Sequence, residues 1–317
     1  MTDTAAPFAA GVHLPWVEVP EHVQAWATSL GGGPLRRVID LQGGFSPGAT
    51  SRLSFERREI FVKAVGLGLN PDSPGMHRRE ALISAQLPDA ALFPRLIDTY
   101  DDGDWMALAF DAIDGRLPKH PWDPAELSVV ADAVASMHDA LTPSPSTTVE
   151  PAAVHLRPVF GGWQLLAEEN RADGLHDWSL RQRDRLADLE SGWSTACVGD
   201  TLLHGDLRSD NFLLRRDGRV TVVDWPHAAV GSPILDVVEW APSVSLEGGP
   251  APEVLFSLQP RWRDADPDVV VVLVAAVCGF FVHRSLQPPP PGLPTLRAFQ
   301  AAQGEVARSW LERLTGW

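Results

Sequence analysis

The chain has 317 residues, 44% hydrophobic and 21% charged, a composition that excludes a disordered chain and allows one large domain or two modest ones. Its 41 acidic and 26 basic residues give a formal net charge of -15, which repels nucleic-acid phosphates and favours cationic small molecules, although an acidic surface also serves solubility alone. Two cysteines, Cys197 and Cys278, are too few for a disulfide framework or a metal cage and point to a reducing compartment.

The first residues show no basic region followed by an apolar core, so no signal peptide is expected. From residue 36 the chain alternates in the manner of strands: "RRVIDLQGGF", "SRLSFE", "REIFVKAV", "FPRLIDTY" and "DWMALAF". The stretch "GMHRREALISAQL" interrupts them with helical periodicity, predicting an antiparallel sheet of about five strands with one helix. After Ala112 the pattern turns helical. Asp123, Pro124 and Glu126 supply a cap, a first-turn proline and a capping partner, and Leu127, Val130, Val134, Met137 and Leu141 fall on one helical face. Proline-rich connectors follow at 142–153 and 285–294. Two further stretches, "HDWSLRQRDRLADLE" and "LPTLRAFQAAQGEVARSWLERL", read as helices. Between these, "NFLLRRDGRVTVVDW" holds two apolar runs joined by Asp217-Gly218, a hairpin signal. The apolar run 269–282 is too short to cross a bilayer and predicts a buried helix or core strand. The reading is an α+β chain: a small antiparallel β lobe over 1–110 and a larger, mainly helical lobe over 111–317. A cytoplasmic protein without membrane or nucleic-acid partners is expected.

The polar residues cluster around the predicted hairpin. His204, Gly205 and Asp206 precede it, Asn211 opens its first strand and Asp224 closes its second, so the hairpin returns Asp224 towards Asn211 and Asp206. The spacing from Asp206 to Asn211 matches the catalytic loop of protein kinases, where the Asp accepts a hydroxyl proton and the Asn binds metal. One carboxylate, one amide oxygen and nucleotide phosphates would make a suitable shell for Mg2+, with Asp206 outside it as the base. Taken singly, Asp206, Ser209 and Asp210 could form a turn and Asp224 could cap a helix; the joint spacing around a hairpin argues for the site.

"LLHGDLRSDNFLL" followed by "VTVVDWPHAAVGSPILDVV" resembles the aminoglycoside phosphotransferase family, small-molecule kinases with the bilobal protein-kinase-like fold. The matching residues are His204, Gly205, Asp206, Asn211, Asp224, Trp225, Gly231, Pro233 and Asp236. The resemblance implies Asp206 as catalytic base, Asn211 and Asp224 on Mg2+, and His204 and Asp236 supporting the loop. In the first lobe it implies Gly43, Gly44, Ser46 and Gly48 over the phosphates of ATP or GTP. It also implies a pair between Lys63 and the helical Glu80, and a hinge at Phe110 to Ala112 whose backbone meets the base. Each has a plainer alternative: a glycine-rich turn, a lysine or glutamate facing water, a connector. The remaining histidines, among them His77, His138, His227 and His283, show no ligand spacing, which argues against zinc.

The acceptor is a hydroxyl-bearing small molecule on this reading. An acidic helical lobe suits a cationic acceptor, with Asp111, Asp114 and Glu239 as candidate contacts and Glu168, Glu169 and Asp236 as further ones, unless these are solvated charges. An antibiotic-modifying enzyme and a sugar or amino-alcohol kinase both remain open, as does monomer against homodimer. A nucleotide-binding pseudokinase with a regulatory role is the alternative from another class. A protein kinase is disfavoured because no Ala-Pro-Glu signature follows Asp224.

Overall fold

The structure, a computed structural model, describes residues 13–41, 47–290 and 293–317. A 3-10 turn at Trp16–Glu18 and helix α1 (Glu21–Ser29) lead into strands β1 (Leu35–Asp40), β2 (Ala49–Phe55) and β3 (Glu59–Gly66). Helix α2 (Ser73–Ser84) and strands β4 (Leu96–Asp101) and β5 (Trp105–Asp111) complete the first lobe. Its strands form one antiparallel sheet in the order β1-β2-β3-β5-β4. Along β2 every second residue is buried, the two-residue period of a sheet with one face on a core. Val23 and Ala27 of α1 pack with Leu53, Ile60, Val62 and Ala64 in that core. The same period puts Lys63 on the opposite face of β3 with Phe61, which packs beside Phe110 and Ala81 of α2.

One helix was expected in this lobe, and there are two. Helix α1 buries only Val23 and Ala27, one pair of positions four apart, which is too little to register as a repeat.

The second lobe opens with β6 (Gly115–Arg116) and α3 (Pro124–Ala140), then α4 (Ala152–His155), α5 (Gly162–Glu168), α6 (Asp177–Glu190) and α7 (Trp193–Ala196). The short strands β7 (Thr201–Leu203), β8 (Phe212–Arg215), β9 (Val220–Val222) and β10 (Ala229–Gly231) come next. Helices α8 (Pro233–Leu246), α9 (Pro252–Ser257), α10 (Pro260–Arg263), α11 (Pro267–Ser285) and α12 (Leu296–Thr315) finish the chain. The predicted hairpin is β8–β9, with Phe212 opposite Val222 and Gly218 in the turn at φ 81°. Strand β6 adds to its edge, and β7 pairs with β10. Strands of two or three residues are too short to show alternation, so these three additions had no sequence signature.

The run at 269–282 lies within α11, whose 19 residues have the length of a membrane span. The helix is used here as core: Leu273 to Cys278 are each at most 1% exposed. Gly162 and Gly279 let α5 and α11 touch through their backbones, since a Cβ on Gly162 would lie 2.0 Å from the Gly279 carbonyl oxygen.

Helix α3 starts where its cap predicts. The Asp123 carboxylate accepts the backbone N–H groups of Ala125 and Glu126, and Leu127, Val130, Val134 and Met137 are buried. The capping box is half made: Glu126 turns outward to Arg116 and to the Lys119 N–H instead of reaching back to Asp123. With one side of the box carrying the cap, Asp123→Ala is expected to lower stability by about 1 kcal/mol in urea unfolding at unchanged m-value. No measurable change would show that the cap contributes nothing.

Candidate active site

Lys63 stands in the middle of β3, opposite Thr50 on β2 and Leu108 on β5. Its ammonium donates to both oxygens of Glu80 on α2, at 2.9 and 3.1 Å, and to Asp224 Oδ1 of the second lobe at 2.5 Å. Burial alone would lower the pKa of this lysine. The attraction of Asp224 and then Glu80 overrides burial and raises its pKa, so it stays cationic. Burial raises Glu80 to about 7 against the pull of Lys63, with repulsion from Asp224 in the same direction. Asp224 ends below its ordinary value because Lys63 outweighs burial.

Asp224 follows β9 in the left-handed region, at φ 72°. Only one other described non-glycine residue, Asn170, has positive φ, so the strain at Asp224 is local to this turn. The next residue, Trp225, is fully buried, with its ring 4.7 Å from that of His204 and its indole N–H on Val222 O. This tryptophan anchors the turn that points Asp224 at Lys63.

The loop from β7 to β8 carries the remaining chemistry. His204 is fully buried; its Nε2–H donates to the Val223 carbonyl and its Nδ1 accepts the Asp206 N–H. Both ring nitrogens are thus occupied and burial lowers its pKa, which makes it a neutral brace. Asp236 on α8 is also fully buried and accepts the backbone N–H groups of His204 and Gly205 as well as His138 Nε2–H. Burial opposes its charge, but these donors and the histidines bring its pKa below the ordinary value. The Asn211 side-chain amide donates to the Asp206 carbonyl at 2.8 Å, which leaves Asn211 Oδ1 as the oxygen available to a cation.

Some expected residues stand elsewhere. Gly43, Gly44 and Ser46 lie outside the described residues. Gly48, at φ 126°, is required by packing: a Cβ there would lie 2.5 Å from the Ala64 carbonyl oxygen, and its own carbonyl accepts the Leu14 N–H. Phe110 is buried in the first lobe at the end of β5, and the Ala112 N–H lies 3.4 Å from Glu59 O. Asp111 pairs with Arg58 and Arg95, and the exposed Asp114 pairs with Arg216. Asp114 also borders a surface cavity of about 500 Å³ between β6, α3 and the β8–β9 turn. Glu239, one turn beyond Asp236, stays near the chemistry: burial and then repulsion by Asp236 and Asp206 hold its pKa well above the ordinary value.

The structure adds residues the sequence reading passed over. Arg208 grips Asp210 through two bonds of 3.0 Å and lies 3.5 Å from Asp206 Oδ2. It sits inside the quoted motif, where its spacing from Asp206 was the available signal. His138 had been set aside as scattered, yet it lies four residues after Val134 on the buried face of α3, and a polar residue on an apolar stripe was the clue. Ser209 donates to Glu247, which also accepts the Trp122 indole N–H, tying the loop to the end of α8.

Among the described residues no cluster of three or more His, Cys, Asp and Glu side chains forms a metal cage. The donor set of Asn211 Oδ1 and Asp224 fits a hard cation that keeps waters and completes its shell with phosphate oxygens, as Mg2+ does.

With this geometry in hand, the chain was compared with known proteins. The profile of the phosphotransferase enzyme family matches residues 39–254. Among solved structures, choline kinase LicA from Streptococcus pneumoniae is 15% identical with a TM-score of 0.60, covering 91% of this chain and 98% of that one. A thermostable mutant of aminoglycoside phosphotransferase APH(4)-Ia, in complex with ADP and hygromycin B, is 16% identical with a TM-score of 0.60, covering 93% and 99%. A putative fructosamine-3-kinase from Haemophilus somnus 129PT is 12% identical with a TM-score of 0.54, covering 90% and 96%. At these identities the likeness shows the fold, the bilobal protein-kinase-like one. No curated protein matches in sequence.

The buried His77 beneath Lys63 makes the site acid-sensitive. Its Nδ1–H donates to Ser73 O, and burial, then the Lys63 charge, lower its pKa from 6.5 to about 4. A histidine depressed in the folded state adds stability above its unfolded pKa and loses it on acidification, so folding is expected to weaken between pH 6.5 and about 4 by up to roughly 1.4 kcal/mol per pH unit. His77→Gln should flatten this part of the stability-pH curve. An unchanged curve would contradict the assignment.

Proposed function

Because the chain belongs to the phosphotransferase enzyme family, we propose that it moves the γ-phosphoryl group of ATP or GTP to a hydroxyl of a small molecule, with Mg2+ as cofactor. The supporting observation is the three-way contact of Lys63 with Glu80 and Asp224, which sets one ammonium at the junction of the two lobes. A triphosphate there would meet a fixed cation already oriented by Glu80.

The acceptor hydroxyl lies against Asp206. As its oxygen bonds to the γ-phosphorus, the bond from that phosphorus to the bridging β–γ oxygen breaks, and the electron pair leaves with the nucleoside diphosphate. The hydroxyl proton passes late to the Asp206 carboxylate. Mg2+, held by Asn211 Oδ1 and Asp224, would neutralise charge on the phosphoryl oxygens. Lys63 balances the phosphates from the other side. Asn211 also fixes the backbone of Asp206, so the base is oriented from the metal side of the site.

Glu239 supports an acceptor that carries an amine as well as a hydroxyl. Burial and then two neighbouring carboxylates raise its pKa well above the ordinary value, and an ammonium beside it would offset that repulsion. Two buried free cysteines suit a reducing compartment, which supports a cytoplasmic role.

Amino sugars, cationic antibiotics, amino alcohols and plain sugars, each incubated with Mg2+ and ATP or GTP, are expected to give a mass gain of one phosphoryl group on an amine-bearing acceptor. No transfer to any amine-bearing alcohol would reject that acceptor class. Asp206→Ala is expected to cut turnover by about 10²- to 10⁴-fold with nucleotide affinity largely intact. Asp224→Ala should weaken Mg2+-dependent nucleotide binding itself. Near-normal turnover in the first variant, or an unchanged Mg2+ requirement in the second, would sink the respective role.

A further inference from the structure

Next to Glu80 on α2 stands Arg79, whose guanidinium crosses to the second lobe. It donates from Nε to Pro226 O at 2.9 Å and from Nη2 to Ala228 O at 2.6 Å. Among the described residues no carboxylate is bonded to it; Glu150 attracts it at longer range, and burial lowers its pKa. Both carbonyls belong to the segment 225–228, where Trp225, Pro226 and Ala228 are buried. The same segment is held from α2 a second time, because the Trp225 backbone N–H bonds to the Glu80 carboxylate.

The other side of this segment faces the catalytic loop. Gly205 has φ 73°, and a Cβ placed on it would lie 2.5 Å from the His227 carbonyl oxygen, so the two backbones run in direct contact. Beyond it, β10 pairs with β7, the strand that leads into His204 and Asp206. A continuous path of contacts therefore runs from Lys63 through Glu80 and Arg79 to residues 226–228 and on to Gly205. A planar guanidinium suits this place, because it can hold two carbonyls at once in a fixed orientation, which an ammonium cannot.

We propose that Arg79 is a positioning residue that couples nucleotide engagement at Lys63 and Glu80 to the placement of Asp206, by clamping α2 onto the segment 225–228. The proposal rests on Lys63 and Glu80 being the nucleotide-holding pair. Arg79 touches neither nucleotide nor acceptor. It makes the two lobes answer to each other at the point where the metal-binding and base-bearing loops meet.

The test follows amide hydrogen exchange over residues 225–231 in the full chain, with and without Mg·AMP-PNP or Mg·GMP-PNP, alongside the affinity for the same nucleotides. In the wild-type chain the bound nucleotide is expected to slow exchange there by about tenfold or more. In Arg79→Gln the nucleotide should still bind, weakened by no more than about tenfold, while this nucleotide-dependent protection disappears. Arg79→Lys should restore part of it. A merely structural arginine would lower the melting temperature equally with and without nucleotide and leave the protection difference in place, and that result would overturn the proposal. Should Arg79→Gln fail to fold, Arg79→Lys decides: full wild-type protection overturns the clamp and reduced protection supports it. Binding of neither nucleotide to the wild-type chain would instead reject the phosphotransfer reading, and the clamp with it.

Discussion

One ammonium shared by two carboxylates holds the cleft in register. Lys63 pairs with Glu80 within the first lobe and with Asp224 of the second, so the turn after β9 is located by a charge that phosphates would compete for on the proposed function. Three buried charges near one another are costly unless each is balanced. Here one cation serves two anions, and the excess negative charge leaves the cluster short of positive charge. On the proposed function, a nucleotide that arrives with its own divalent cation would bring positive charge to Asp224 and let Lys63 turn towards the phosphates.

The second constraint is a fully buried carboxylate. Asp236 accepts two consecutive backbone N–H groups, from His204 and Gly205, and a third bond from His138. A buried acid with three donors has no freedom left, and the backbone carrying Asp206 inherits that rigidity. Catalysis by positioning would require this of Asp206 as the proposed base, which must be placed before the acceptor arrives. His204 does the complementary work on the other side of the loop, spanning Val223 O and the Asp206 N–H with its two ring nitrogens. Asp236 sits in α8, Val223 follows β9, and His138 is on α3, so elements distant in sequence meet behind one loop.

Much of this was legible in the sequence because it is short-range. The hairpin declared itself through Asp217-Gly218 and flanking apolar runs, and that alone brought Asp224 back to Asn211. Lys63 and Glu80 could be placed because they fall in the order that the resemblance implies, a strand lysine followed by a helical glutamate ahead of the Asp206 loop. What could not be read depends on long-range packing. The pairing of Asp111 with Arg58 and Arg95 joins β5 to residues outside its own strand. At Gly48, read as part of a phosphate loop, the approach of Ala64 O also demands glycine, and that contact has no sequence signal. The short strands β7 and β10 have three residues each, with no period to detect, and only their pairing makes them strands. Arg208 and Arg79 were visible as residues but not as contacts.

The proposed function requires Asn211 and Asp224 to share one cation beside Lys63. A crystal structure of the chain with Mn2+ and AMP-PNP tests this most directly, since the anomalous signal of manganese locates the cation independently of the protein density. The expected result is a peak within bonding distance of Asn211 Oδ1 and the Asp224 carboxylate, with the Lys63 ammonium turned from Asp224 towards a phosphate oxygen. A manganese peak bound elsewhere, or a nucleotide seated away from Lys63 with the Lys63–Asp224 contact unbroken, would contradict it.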